Sequence, residues 1–177
     1  MNTLERIVDD YIRDHQRNAE REQRWFAIQP DLSKAIEVAA LAKSPSGKRL
    51  SHQWRIPERA LRESNRRLQT KAAKLEASRS FEDLYEVVAA TIQSISGIGE
   101  LTIYDTALRI GAFLRLEPAK VFLHAGTRSG ARALGLRTSA AFLEMSSIPS
   151  VLQVFKPSEV EDVLCIYKHR FNGTNRS

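Results

Sequence analysis

Apolar residues recur along this chain at three- and four-residue intervals, and those intervals predict a succession of helices. Leu4, Ile7, Val8, Tyr11 and Ile12 form the first stripe, on a helix expected from Thr3 into the polar stretch near Arg21, with Trp25 and Phe26 anchoring its end. After Pro30, Asp31 is placed to cap a second helix carrying Ile36, Val38, Ala39 and Leu41. Residues 44–50 (SPSGKRL) read as a loop. Pro57 then suits the first turn of a third helix, on which Leu61, Leu68, Ala72 and Leu75 share a face while Arg59, Arg62, Arg66 and Lys74 gather elsewhere.

Ser80 and Asp83 predict a capping box for a fourth helix, striped by Phe81, Leu84, Tyr85, Val88, Ile92 and Ile95. The next helix is apolar on most sides and leaves a narrow polar strip at Asp105, Arg109 and Ala112, so it is expected to be central and largely buried. Pro118 predicts a short helix through Val121, Phe122 and Leu123, and Gly126-Thr127 a cap for another from Arg128. Short helices are expected at 139–145 and 149–155. Pro157, Ser158 and Glu161 signal the last helix, with Val160, Val163, Leu164 and Tyr167 inward. NGTNRS reads as a frayed tail, and the glycosylation sequon at Asn172 as chance. No alternating strand or internal repeat stands out, so the expected class is all-α. The expected organisation is an arm of N-terminal helices over 1–79, a helical domain over 80–171 and a tail over 172–177.

Between the fourth and fifth helices lies SGIGELT, in which Gly97 and Gly99 permit a turn with exposed backbone amides beside a helix N-terminus, an arrangement that can hold a phosphate. Gly97, Ile98, Gly99 and Thr102 resemble the hairpin of the helix-hairpin-helix family of DNA glycosylases, nucleases, polymerases and ligases; the likeness covers residues 81–114. The resemblance implies an all-helical domain whose hairpin amides contact DNA phosphates without reading bases. Gly97 and Gly99 would supply the close approach, Ile98 would plug the core, and Thr102 would sit in the first turn of the second helix. Glu100 and Leu101 stand where the family often has a basic residue or proline, and Ile103 where it often has alanine. Leu101 also replaces the lysine of the bifunctional glycosylases, and no Asp or Glu occurs between Pro118 and Leu143, which argues against their chemistry. A tight corner between helices, with the glycines needed only for geometry, fits the same residues.

Charge sharpens the picture. The formal net charge is +6 over 177 residues, and Lys43–Arg79 alone holds eleven basic against three acidic side chains. That excess favours an acidic partner, and nucleic acid over a membrane, since no long apolar run exists. Arg59, Arg62, Arg66 and Arg67 are candidate phosphate contacts or simply a solvated helix face. Trp54 either stacks on a base or anchors the arm to the core. A second candidate anion site is HAGTRSGARALG, where Thr127, Arg128 and Arg132 are expected near a helix start, against the alternative of a glycine-assisted corner.

Other chemistry finds less footing. Cys165 is the single cysteine, which excludes an internal disulfide and cysteine clusters and suits a cytoplasmic protein; its place in an apolar pattern suggests a buried, inert thiol. His15, His52, His124 and His169 show no HxxxH or HExxH spacing, so neither a metal site nor a cofactor is expected. The leading expectation is a small accessory protein that binds nucleic-acid backbone, duplex DNA foremost, without sequence preference. The alternatives are a protein-interaction or self-association module using the amphipathic terminal helices, and an enzyme acting on nucleic acid or a phosphorylated molecule through the His124/Arg128 region.

Overall fold

The computed structural model describes residues 2–171; the tail and its sequon lie outside the described residues. The chain is predominantly helical, with nine α-helices and one two-stranded ladder among the described residues. It divides into two compact units, Glu20–Glu117 (the central unit) and Met1–Ala19 with Pro118–Ser177 (the flanking unit). Position 79/80 falls inside the central unit.

The central unit holds most of α2 (Arg17–Ala27), then α3 (Leu32–Ala40), α4 (Glu58–Gln69), α5 (Ala72–Glu76), α6 (Phe81–Ile92) and α7 (Glu100–Leu114). Local chemistry explains the starts: Asp31 accepts from the Lys34 N–H at 2.7 Å and Ser80 from the Asp83 N–H at 3.1 Å, each satisfying an otherwise orphaned amide. Asp83 returns its bond to the Arg79 N–H rather than to Ser80. Helix α7 packs against α3 and α6, and α4 against α3 and α6. Ile103, Tyr104, Ala107 and Ile110 of α7 are buried, as its apolar circumference predicts. Its expected polar strip differs. Arg109 is only 2 % exposed, enclosed rather than solvated.

In the flanking unit, α1 (Thr3–Tyr11) runs into a π-helical turn at Ile12–Gln16, where one uninterrupted α-helix was expected. Val121–Phe122 forms β1, not a helix, and pairs antiparallel with β2 (Phe142–Leu143), where another helix was expected. An apolar run this short carries no period that separates strand from helix, and the partner strand decided. Two short 3₁₀ turns, Met145–Ser147 and Ser150–Leu152, follow. Helix α8 (Ala125–Ala133) packs on α9 (Pro157–Ile166) and α9 on β1. Ile7 and Tyr11 of α1 join Val160, Val163 and Leu164 of α9 in one core, so the apolar faces of the terminal helices close over their own unit.

Candidate nucleic-acid interface

The turn joining α6 to α7 is exposed at Gly97 and Gly99. Gly97 has φ 94°, a left-handed conformation that a side chain would strain, and a Cβ there would lie 3.1 Å from Pro57 Cδ. Gly99 is the N-cap of α7, and no side chain makes a capping hydrogen bond to that helix start. Thr102 turns inward and is buried, while Glu100 is exposed in the first turn.

Two contacts tie this turn to α4. Gly97 abuts Pro57 and Ala60 at the start of α4, and Arg67 Nη1 donates to Ser94 Oγ at 2.9 Å near its end. Arg59, Arg62 and Arg66 are exposed on the same helix. Arg62 pairs with Glu58, and Arg66 and Arg67 both pair with Glu63, whose carboxyl these guanidinium groups, Arg66 foremost, hold down at about 2. Arg59 has no ion-pair partner among the described residues. Exposed pairs of this sort are worth about 0.2–1 kcal/mol, so a phosphate can displace the carboxylate. Trp54, three residues before Pro57, is 64 % exposed with the Arg55 guanidinium 5.7 Å from its ring centre. It is not an anchor to the core. Further along, an open cleft of about 680 Å³ has Arg67, Lys71 and Lys74 on one side, but Asp83 and Glu86 also line it, which disfavours an anion there.

Comparison with protein families, curated proteins and solved structures returned no match. The chemistry of the site therefore rests on its own geometry.

In the flanking unit, the second expected anion site is arranged otherwise. His124, not Thr127, is the N-cap of α8, because the helix begins at Ala125. Thr127 is fully buried and donates to Glu161 Oε1 at 2.7 Å. Arg128 donates to the carbonyls of Thr138, Ala140 and Leu123, so its guanidinium holds the 138–140 loop instead of facing a ligand. Arg132 is exposed in the last turn of α8, at the helix end that repels anions. Arg128→Ala is expected to cost about 2–3 kcal/mol, since three carbonyls are left without a charged donor, and to speed proteolysis at Arg137, measured by limited trypsin digestion.

A convergence that the sequence pattern did not signal, of His124, Glu161 and Cys165, lies beside Thr127. Glu161, expected to cap α9, is 5 % exposed and bonds His124 Nε2; the Lys156 N–H is instead met by Glu159 at 2.9 Å. Glu161 and Cys165 stand one turn apart on α9, and Glu161 falls among the apolar positions 160, 163 and 164, the one signal that it turns inward.

Proposed function

We propose that the central unit binds nucleic-acid phosphate backbone, duplex DNA foremost, with little sequence preference. The observation that carries this reading is the junction of the exposed Gly97–Gly99 turn with α4, which puts uncapped α7 amides and a row of arginines on one unit. Amides and guanidinium groups supply complementary halves of phosphate recognition: fixed short-range donors and longer-range charge. Trp54 adds a flat, accessible ring suited to stacking where a strand opens. The resemblance to the helix-hairpin-helix turn supports the same use of Gly97 and Gly99, with Thr102 serving the interior. Glu63 and Glu100 oppose it and set an upper limit on affinity.

Fluorescence anisotropy of duplex, single-stranded and RNA oligonucleotides at two salt concentrations tests the reading. Binding is expected to weaken with salt, and Arg59→Ala with Arg66→Ala to reduce the slope of log K against log salt by about 0.9 for each phosphate that is no longer neutralised. Glu63→Gln is the sharper variant, because it releases Arg66 and Arg67 together and is expected to tighten binding several-fold, an improvement that misfolding does not produce. Salt-insensitive or absent association with folded, monodisperse protein would overturn the proposal.

A further inference from the structure

We propose that His124, Glu161 and Cys165 form a binding site for a divalent transition-metal ion of the zinc class. One donor atom from each, an imidazole nitrogen, a carboxylate oxygen and the thiol sulfur, lie within 4.8 Å of one another. The three come from two packed elements, the N-cap of α8 and one face of α9, which fixes their mutual positions. Tetrahedral metal bonds of about 2.0–2.3 Å space their ligands by about 3.3–3.6 Å, within reach of this cluster by small side-chain rotations.

Charge favours the ion. A divalent cation bound by a carboxylate, a thiolate and a neutral imidazole makes a neutral group, which a site with His124 4 % and Glu161 5 % exposed requires. The mixed nitrogen, oxygen and sulfur set suits Zn²⁺ or Co²⁺ and disfavours Mg²⁺ and Ca²⁺, which take oxygen ligands. Metal binding releases the thiol proton to solvent and leaves every ligand in its ordinary oxidation state.

Two neighbours are arranged as such a site needs. Thr127 Oγ1 lies 2.7 Å from both His124 Nε2 and Glu161 Oε1 and donates to the carboxylate, holding its orientation, the task of an outer-shell partner. Gly126 makes room for the sulfur: a Cβ at that position would stand 2.6 Å from Cys165 Sγ and 3.4 Å from His124 Cε1. Cys165 is half-buried, and three protein ligands leave the fourth tetrahedral position of the ion to a water. The cluster belongs entirely to the flanking unit, so its test is independent of the nucleic-acid reading.

Full-length protein, dialysed against chelator and titrated with Co²⁺ alone, tests the inference by absorption. A thiolate-to-cobalt charge-transfer band in the near ultraviolet, intense tetrahedral bands in the visible and displacement of both by one equivalent of Zn²⁺ are expected. Cys165→Ala removes a partly exposed side chain and is expected to abolish the charge-transfer band while circular dichroism stays that of the unsubstituted protein. Glu161→Gln is expected to weaken Co²⁺ binding by at least about tenfold. Should Glu161→Gln fail to fold, Thr127→Ser and Thr127→Val give the same readout from one shell out, the serine retaining affinity and the valine losing it. No charge-transfer band in the folded protein, or a band that survives Cys165→Ala, overturns the proposal.

Discussion

Gly130→Ala is expected to destabilise the flanking unit by about 2–3 kcal/mol net, the steric overlap alone costing about 3 kcal/mol or more. A Cβ at Gly130 would lie 2.0 Å from the Leu164 carbonyl oxygen and 2.7 Å from its carbon, so α8 meets the main chain of α9 directly. Backbone cannot rotate aside as a side chain can, and the helix pair must separate or tilt. Alanine gains about 1 kcal/mol over glycine in helix propensity, which offsets only part of that cost. At about 2–4 °C per kcal/mol for a chain of this size, a net loss of about 2–3 kcal/mol lowers the thermal midpoint by roughly 4–12 °C. Gly99→Ala is the contrast: nothing lies within 4 Å of its Cβ position, φ is −110°, and the expected change stays within about 0.5 kcal/mol. Thermal unfolding followed by far-ultraviolet circular dichroism checks both, and equal midpoints for the two variants would show that α8 and α9 are not in backbone contact. The same experiment bears on the metal proposal, because Gly130 and Gly126 hold α8 close enough to α9 for His124 to meet Glu161 and Cys165.

Asp105→Ala is expected to cost about 3 kcal/mol, through the charge it abandons. Arg109, 2 % exposed on α7, has Asp105 Oδ2 at 3.4 Å, Gln53 Oε1 at 3.1 Å, Glu22 at 4.0 Å and the Phe26 ring centre at 5.5 Å. A buried guanidinium without its nearest carboxylate is deprived of the interaction that offsets its desolvation. Replacing both partners with apolar residues removes the stranded charge, so Asp105→Ala combined with Arg109→Leu is expected to cost less stability than the two single variants added together, by about 0.5–3 kcal/mol. Both tryptophans, Trp25 and Trp54, belong to the central unit, so urea unfolding followed by their fluorescence reads this unit. Strict additivity would mean that the two side chains do not depend on one another.

The helices themselves were largely legible from the sequence. Asp31 and Ser80 cap where their spacing predicts, and Val160, Val163, Leu164 and Tyr167 are buried on or at the end of the last helix, whereas the single helix expected to carry Leu61, Leu68, Ala72 and Leu75 divides into α4 and α5, with the three leucines buried and Ala72 only partly so. These signals are local: a cap acts over three residues and a stripe over two turns, so both are written in adjacent positions. The ladder was not legible, because Val121–Phe122 becomes a strand only by pairing with Phe142–Leu143 some twenty residues away. The alternatives for Trp54 stayed open for a related reason. Its size favours burial, yet whether a loop ring is covered depends on what packs over it, and at 64 % exposure this ring stays open to solvent.

The candidate sites divide along the same line. The Gly97–Gly99 turn and the α4 arginines could be named from composition and order, since glycine marks the conformation and basic residues mark the charge. Which charges stay available was beyond reach of the sequence. Arg59 and Arg128 look alike as letters in a basic chain, but the first is exposed on α4 and the second is spent on three carbonyls. His124 and Glu161 are 37 residues apart, and neither lies at a spacing that signals a ligand pair. The sequence by itself determined where helices begin, which faces are apolar and how much positive charge the chain carries, because those properties depend on neighbours along the backbone. Tertiary structure alone decided that Arg109 is enclosed, that Thr127 serves the interior and that an imidazole, a carboxylate and a thiol converge, because a polar group's partner is set by which helix faces pack together across the chain.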